Sequence, residues 1–202
     1  MSTRGAILAG GTASRFGAKP KGLEKVGGER ILDRVVRNVQ AATGSPPLLI
    51  ANSDDASEWI DGLEVVGDIY KECGSLGGIY TAVAHHESAV LVVAWDMPFL
   101  TVDLLAELIR RSADVDVCIP ESAGPLGVEP MCAVYGPACR EPIKAQLDDE
   151  DYRATGFHSA VRVELLPLTE SERFGDAEKL FFNINTASDL ERAEELWRKE
   201  RE

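Results

Sequence analysis

The sequence predicts a three-layer α/β domain with a mostly parallel central sheet, and two observations carry that expectation. Short apolar runs of strand length alternate along the chain with segments of helical periodicity. Glycines or carboxylates follow directly on several of these runs, which is where ligands sit in open α/β sheets, outside the carboxyl ends of the strands. Strands are expected at residues 5–9, 48–51, 64–66, 89–94, 115–119, 131–135 and 161–166.

The first run, Ala6-Ile7-Leu8-Ala9, opens into a loop from Gly10-Gly11 through Arg15, Gly17 and Lys19 to Lys21-Gly22-Leu23. Glycines let a backbone turn sharply and bring its N–H groups against an anion, and Arg15, Lys19 and Lys21 add charge-assisted donors for phosphate oxygens. The stretch reads as a triphosphate cradle. The plainer alternative is a strand-to-helix turn with solvated basic side chains. Neither G-x-x-x-x-G-K-[ST] nor G-x-G-x-x-G spacing is present, which argues against a P-loop kinase or a dehydrogenase.

Next along the chain, Ile31, Leu32, Val35, Val36 and Val39 form one apolar helical stripe. Asn52 offers a polar tip after the second run. Asp68 follows the third run after one glycine, suited to accept from the N–H groups of a purine edge or to close an Asx turn. Gly74-Ser75-Leu76-Gly77-Gly78 precedes a helix; its glycines admit a base or sugar close to the backbone, or form a tight N-terminal turn. Asp96 ends the most apolar run, in Trp95-Asp96-Met97-Pro98. A carboxylate there suits Mg²⁺, which takes one or two carboxylates with phosphate oxygens and water, or caps the turn before Pro98. Thr101 is placed as the N-cap of a helix with Asp103 in its first turn and a stripe of Leu104, Leu105, Leu108 and Ile109. Asn183 and Asn185 flank Ile184. On a strand they would share a face and offer two amides to a ligand or a metal-bound water; the alternative is local backbone pairing. Thr186 and Asp189 then cap a last helix striped by Leu190, Ala193, Leu196 and Trp197.

With 202 residues and 45% hydrophobic content, the chain is expected to form one domain around a sizeable core. Its 21 Lys and Arg stand against 34 Asp and Glu, a net charge of −13 that argues against nucleic acid or an anionic membrane surface as partner. Positive charge is local, since residues 1–30 hold Arg4, Arg15, Lys19, Lys21, Lys25 and Arg30 against only Glu24 and Glu29. No apolar run reaches membrane-span length and no signal peptide is recognisable, so a cytoplasmic protein is expected. The helical stripes are accounted for by the core, which makes a monomer the expectation. Cys73, Cys118, Cys132 and Cys139 lack C-x-x-C spacing and read as buried reduced thiols. His85, His86 and His158 have no ligand spacing and read as surface residues, and no G-x-S-x-G supports a hydrolytic triad.

Taken in order, Leu8-Ala9-Gly10-Gly11-x-x-x-Arg15-x-Gly17-x-x-x-Lys21-Gly22-Leu23, Asp68, Gly74-x-Leu76-x-Gly78, Asp96-Met97-Pro98-Phe99 and Asn183-Ile184-Asn185-Thr186 resemble the molybdenum cofactor guanylyltransferase family, known as MobA, over nearly the whole chain. The resemblance implies a Rossmann-like nucleotidyltransferase fold whose N-terminal part binds nucleotide and whose C-terminal part binds the acceptor. It implies GTP, Mg²⁺ and molybdenum-molybdopterin as ligands. The terminal phosphate of the pterin would attack the GTP α-phosphate and pyrophosphate would leave.

By position, the resemblance makes Leu8, Ala9, Gly10 and Gly11 the nucleotide cradle, and Arg15 and Lys21 the residues that hold phosphates. Asp68 and Asn52 correspond to guanine-nucleotide contacts, Asp96 to the Mg²⁺ ligand, and Gly78 to the second glycine segment. Glu129-Pro130, Asn183 and Asn185 resemble segments on the pterin side. Gly10-Gly11 is similar to the guanine type, where cytidine enzymes carry Leu-Ala-Ala-Gly, and Thr12-Ala13-Ser14-Arg15-Phe16 departs from the Gly-Thr-Arg-Leu of sugar-nucleotide enzymes. Trp95 stands where a small residue is usual, and Lys19-Pro20 is an addition. Implied partners beyond the substrates are molybdoenzyme chaperones or other cofactor-biosynthesis proteins. The competing readings are the same chemistry on another acceptor or nucleotide, and a GTP-binding adaptor without turnover.

Overall fold

Strands that read as unbroken apolar runs need cover on both faces, and that requirement organises the fold. The computed structural model describes residues 3–10 and 20–199. In chain order its strands are β1 (Arg4–Leu8), β2 (Lys25–Val26), β3 (Glu29–Arg30), β4 (Leu48–Ile50), β5 (Val65–Val66), β6 (Val90–Ala94), β7 (Val117–Pro120), β8 (Cys132–Tyr135) and β9 (Val163–Leu166). The α-helices are α1 (Ile31–Thr43), α2 (Gly74–Ala84), α3 (Val102–Arg111), α4 (Arg140–Asp148), α5 (Leu168–Ser171), α6 (Ala177–Leu180) and α7 (Ala187–Lys199).

Seven strands form one sheet in the order β5-β4-β1-β6-β8-β7-β9. All seven coincide with the expected runs, to within two residues at each end. β1 pairs in parallel with β4 and with β6, so Leu8 lies opposite Ile50 on one side and Ala94 on the other. β8 is antiparallel to both β6 and β7, while β9 is again parallel to β7. The reversal is local: the chain from β7 to β8 folds back through a bridge between Glu121 and Val128 rather than through a crossover helix.

Alternate residues of each strand feed opposite cores. Ile7, Leu49, Leu91 and Val93 pack with α1, α3 and α7, whereas Ala6, Leu8, Ile50 and Val92 pack with α2 and α4. Both predicted N-caps form. Thr101 accepts from the Leu104 N–H at 3.3 Å, and Thr186 and Asp189 cap reciprocally, at 2.8 and 3.1 Å.

The structure also differs from the sequence expectations. The two-residue strands β2 and β3 form a hairpin around Gly27 and Gly28, whose φ values of +63° and +84° require glycine. Residues 183–185 belong to no strand, so the shared-face geometry expected for Asn183 and Asn185 does not apply. Only His85 is exposed. The Nε2 atoms of His86 and His158 are buried without a hydrogen-bond partner among the described residues, and burial pushes both imidazoles below their ordinary pKa, toward the neutral form. All four cysteines are buried and free, with burial pushing the thiols of Cys118 and Cys139 up to about 12. Among the described residues no helix is long and apolar enough to cross a membrane.

Candidate active site at the carboxyl edge of the sheet

The sheet order sets the site before any side chain is considered. Because β1 lies between β4 and β6, Ala9 and Gly10 leave it between the strand end that leads to Asn52 and the one that leads to Asp96. The backbone there is pinned on both sides: Ala9 N–H donates to the Ile50 carbonyl at 2.8 Å, and Trp95 N–H donates to the Leu8 carbonyl at 3.2 Å. Among the described residues a Cβ at Gly10 would meet nothing within 4 Å. Gly11, Arg15 and Lys19 lie outside the described residues.

The chain re-enters at Pro20 and makes one 3-10 turn over Lys21–Leu23. Gly22 presses that turn onto the face of Trp95, where a Cβ would come to 2.3 Å from Cε3. Trp95 in turn stacks on Trp59, with centroids 5.1 Å apart and planes 20° from parallel. The turn is thereby held beside Asp96. The Lys21 ammonium donates to the Asp96 carboxylate and, at 3.0 Å, to Asn185 Oδ1. Asn185 arrives because Ile184 N–H donates to the Asp96 carbonyl at 3.0 Å, and its own N–H donates to Asp189 Oδ2 at 3.0 Å in the first turn of α7. Residues 75 and 164 positions apart thus meet at one ammonium. Asp96 is 6% exposed.

A second carboxyl group completes this corner. Ala94 N–H donates to the Met131 carbonyl at 2.8 Å, which brings the segment ahead of β8 to the same edge. Glu129 accepts there from Met131 N–H at 3.2 Å. Burial pushes its pKa up to about 7, and the negative charge of Asp96 adds to the rise. The family resemblance put Glu129 on the expected acceptor side but carried no signal of this raised proton affinity, which needs the fold.

At the other end of the cradle Asn52 and Asp68 bond each other. Asn52 Nδ2 donates to Asp68 Oδ2 at 2.7 Å, and Asp68 N–H donates to Asn52 Oδ1 at 2.8 Å. Burial raises the Asp68 pKa while the Asn52 bond opposes the rise, and Asp68 Oδ1 is buried with no partner among the described residues. The loop is held from below by α2, where Thr81 Oγ1 accepts from Ile69 N–H at 2.9 Å.

Two candidates take other positions. A Cβ at Gly78 would lie 2.8 Å from Leu8 Cδ1, so this glycine lets α2 approach β1 within the core rather than opening onto the edge. Asn183 donates to the Phe181 carbonyl at 3.0 Å, a local bond.

The donor set suits a hard cation carried largely by its substrate. Among the described residues no three His, Cys, Asp or Glu side chains converge as a metal cage. Asp96 presents a single buried carboxylate, ion-paired with the Lys21 ammonium; Mg²⁺ bound with a phosphate substrate needs only one or two protein carboxylates, its other ligands being phosphate oxygens and water.

Comparison with known proteins agrees with this architecture. The MobA-like NTP transferase domain profile matches residues 5–162. The chain is 34% identical over 202 residues to the molybdenum cofactor guanylyltransferase of a Bradyrhizobium strain, covering 95% of this chain and 92% of that protein. It is 31% identical over 193 residues to the protein of the same name from Desulfosudis oleivorans, covering 94% and 93% of the two chains. Among solved structures, molybdopterin-guanine dinucleotide biosynthesis protein A from Archaeoglobus fulgidus superposes with a TM-score of 0.81 at 25% identity, over 98% of this chain and 100% of that one. With the profile covering most of the chain and relatives above 30% identity over nearly all of it, the chain belongs to the MobA-like NTP transferase family.

Proposed function

We propose that this protein is a molybdenum cofactor guanylyltransferase, which transfers GMP from GTP to the phosphate of molybdenum-molybdopterin and releases pyrophosphate. The single observation that carries the reading is the Lys21 ammonium shared between the buried Asp96 carboxylate and Asn185, one strand away from the Ala9-Gly10 backbone that leaves β1.

In this reading Leu8, Ala9 and Gly10 hold the nucleotide along the edge, with Gly11 and Arg15 continuing the contact. Asp68 accepts from the guanine N–H groups, for which its unpartnered Oδ1 is suited. Lys21 exchanges its apo partners for phosphate oxygens and meets the charge that develops on pyrophosphate. Asp96 would hold Mg²⁺, which when bound neutralises charge on the α- and β-phosphate oxygens. The acceptor phosphate is already a nucleophile at neutral pH, so the residues need only align it and need not remove a proton. Glu129 and Asn185 border the acceptor side.

The acidic surface argues against nucleic-acid partners, and cofactor-biosynthesis proteins or molybdoenzyme chaperones are the proposed recipients of product, with the enzyme acting as a cytoplasmic monomer. Thermal unfolding with GTP, CTP, UTP and ATP, each with and without Mg²⁺, tests the nucleotide half. A ligand at ~100 times its Kd adds about 2.7 kcal/mol of stability. A Mg²⁺-dependent shift with GTP alone is expected, and an equal shift with CTP would overturn it.

A further inference from the structure

Arg34 breaks the apolar stripe of α1, standing between Leu32 and Val35, yet its side chain is only 4% exposed. A buried ion pair is weak support for stability, because well-packed apolar residues commonly do as well in its place. Its partners suggest a different role. Nη2 donates to the Val26 carbonyl at 2.7 Å, Nη1 makes a long 3.5 Å contact to the Pro98 carbonyl, and Nε donates to Glu29 at 3.0 Å. The guanidinium carbon also lies 4.0 Å from the centroid of the Trp197 ring on α7.

Each partner belongs to a different segment of the site. Val26 is on the β2–β3 hairpin that directly continues the Lys21 turn, and Pro98 follows Asp96 by two residues. Trp197 is on α7, whose first turn holds the Asn185 N–H through Asp189. The hairpin also joins α7 directly, Gly27 N–H donating to Glu194 at 2.9 Å. A cleft of about 320 Å³ bordered by Arg34, Pro98, Phe99, Leu180 and Trp197 lies beside the guanidinium, so packing alone does not close this junction.

We infer that Arg34 is a positioning residue for the transfer reaction, tying together the three segments that carry Lys21, Asp96 and Asn185. The inference rests on the guanylyltransferase reading for its assay, but not for its geometry. A planar guanidinium serves several acceptors at once, whereas a lysine offers a single compact charge. Among the described residues Asn52 and Asp68, anchored through β4, β5 and α2, share no hydrogen bond or ion pair with Arg34. Its loss should therefore disturb the phosphate end and spare the base end.

The test compares Arg34→Lys, Arg34→Met and Trp197→Leu with two controls. Arg37→Gln removes the other arginine paired with Glu29, and Val39→Ala loosens the same helix in the core. Two readouts are taken: kcat and GTP affinity, and the acetylation rate of Lys21 followed by mass spectrometry, with the exposed Lys71 and the half-buried Lys144, which is paired with Asp148, as internal references. The Arg34 variants are expected to lower kcat about 10-fold or more, with GTP affinity changed by less than about 3-fold, because misalignment penalises turnover more than ground-state binding. Lys21 should be acetylated faster in these variants and in Trp197→Leu, relative to Lys71 and Lys144. Val39→Ala should lower the melting temperature without either effect, and Arg37→Gln should change neither. Wild-type kcat and wild-type Lys21 labelling in folded Arg34→Lys would overturn the inference. Should Arg34→Met not fold, Arg34→Lys and Trp197→Leu decide it. A wild-type enzyme inactive on GTP and the pterin would remove the guanylyltransferase reading instead, and the labelling would then decide the role of Arg34 alone.

Discussion

Asn52 and Asp68 bond each other twice, amide to carboxylate and main-chain N–H to amide oxygen, at 2.7 and 2.8 Å. The pair fixes the carboxylate and leaves Oδ1 of Asp68 without a partner among the described residues. A guanine edge offers N–H donors that such an oxygen accepts. Asp68→Asn should weaken GTP binding by about 10- to 100-fold, the value of one or two charge-assisted hydrogen bonds. It should also narrow the preference for GTP over ITP, which lacks the 2-amino group. Asn52→Ala removes only the orienting partner and should have the smaller effect. Calorimetric titration with both nucleotides measures this, and unchanged GTP affinity in Asp68→Asn would place the base elsewhere.

In the proposed reaction Lys21 and Asp96 act at the reacting phosphates. Lys21→Met and Asp96→Asn should each lower turnover by roughly 10²- to 10³-fold, as the loss of one preorganised charged group does. Far-UV circular dichroism should be unchanged, since neither residue lies in the sheet. Single-turnover GTP consumption gives the value, and near-wild-type rates in either variant would contradict the assigned roles.

Gly22 is fixed by the indole of Trp95, 2.3 Å from where a Cβ would stand. Gly22→Ala should destabilise by about 1–3 kcal/mol through overpacking, and activity should fall with it because Lys21 is the preceding residue. Adding Trp95→Leu should recover part of the loss, so urea denaturation of the single and double variants should show clear non-additivity. Full additivity would mean that the turn does not rest on the indole.

Glu129 supplies a pH signature. Its pKa is raised from 4.5 to about 7 in the folded chain, so the folded state holds this proton more tightly than the unfolded state does. The contribution to stability is fully present below about pH 4.5 and is lost as pH rises through 7. A shift of this size corresponds to up to about 3 kcal/mol. Glu129→Gln, which keeps an acceptor for Met131 N–H, should therefore gain stability over wild type at pH 8 and not at pH 4.5. Parallel unfolding curves at both pH values would contradict the half-buried, proton-holding glutamate.

Much of this was legible in the residues, for a physical reason. Strands buried on both faces carry continuous apolar runs, so all seven sheet strands and the carboxylates at their ends could be read directly. The β2–β3 hairpin could not be, because two-residue strands show no periodicity, although Gly27-Gly28 was a turn signal. α4 was missed as well, since only Ile143 and Leu147 are buried along it and the stripe is too thin to stand out. In the site, Lys21, Asp96 and Asn185 each stood out by position, but their meeting depends on contacts between distant segments. Gly78 shows the opposite limit: a glycine that admits a neighbouring helix looks the same in sequence as one that admits a ligand. Arg34 did carry a signal, an arginine inside an apolar helical stripe, but its partners appear only in the fold.

The most direct test of the proposed function is pyrophosphate release by the purified protein with Mg²⁺, GTP and molybdenum-loaded molybdopterin, with the pterin product identified by mass. The expected result is release that requires the pterin, fails with CTP, and accompanies a product heavier by one GMP. Release that is as fast with CTP, or no release from GTP when the pterin is present, would contradict the guanylyltransferase assignment.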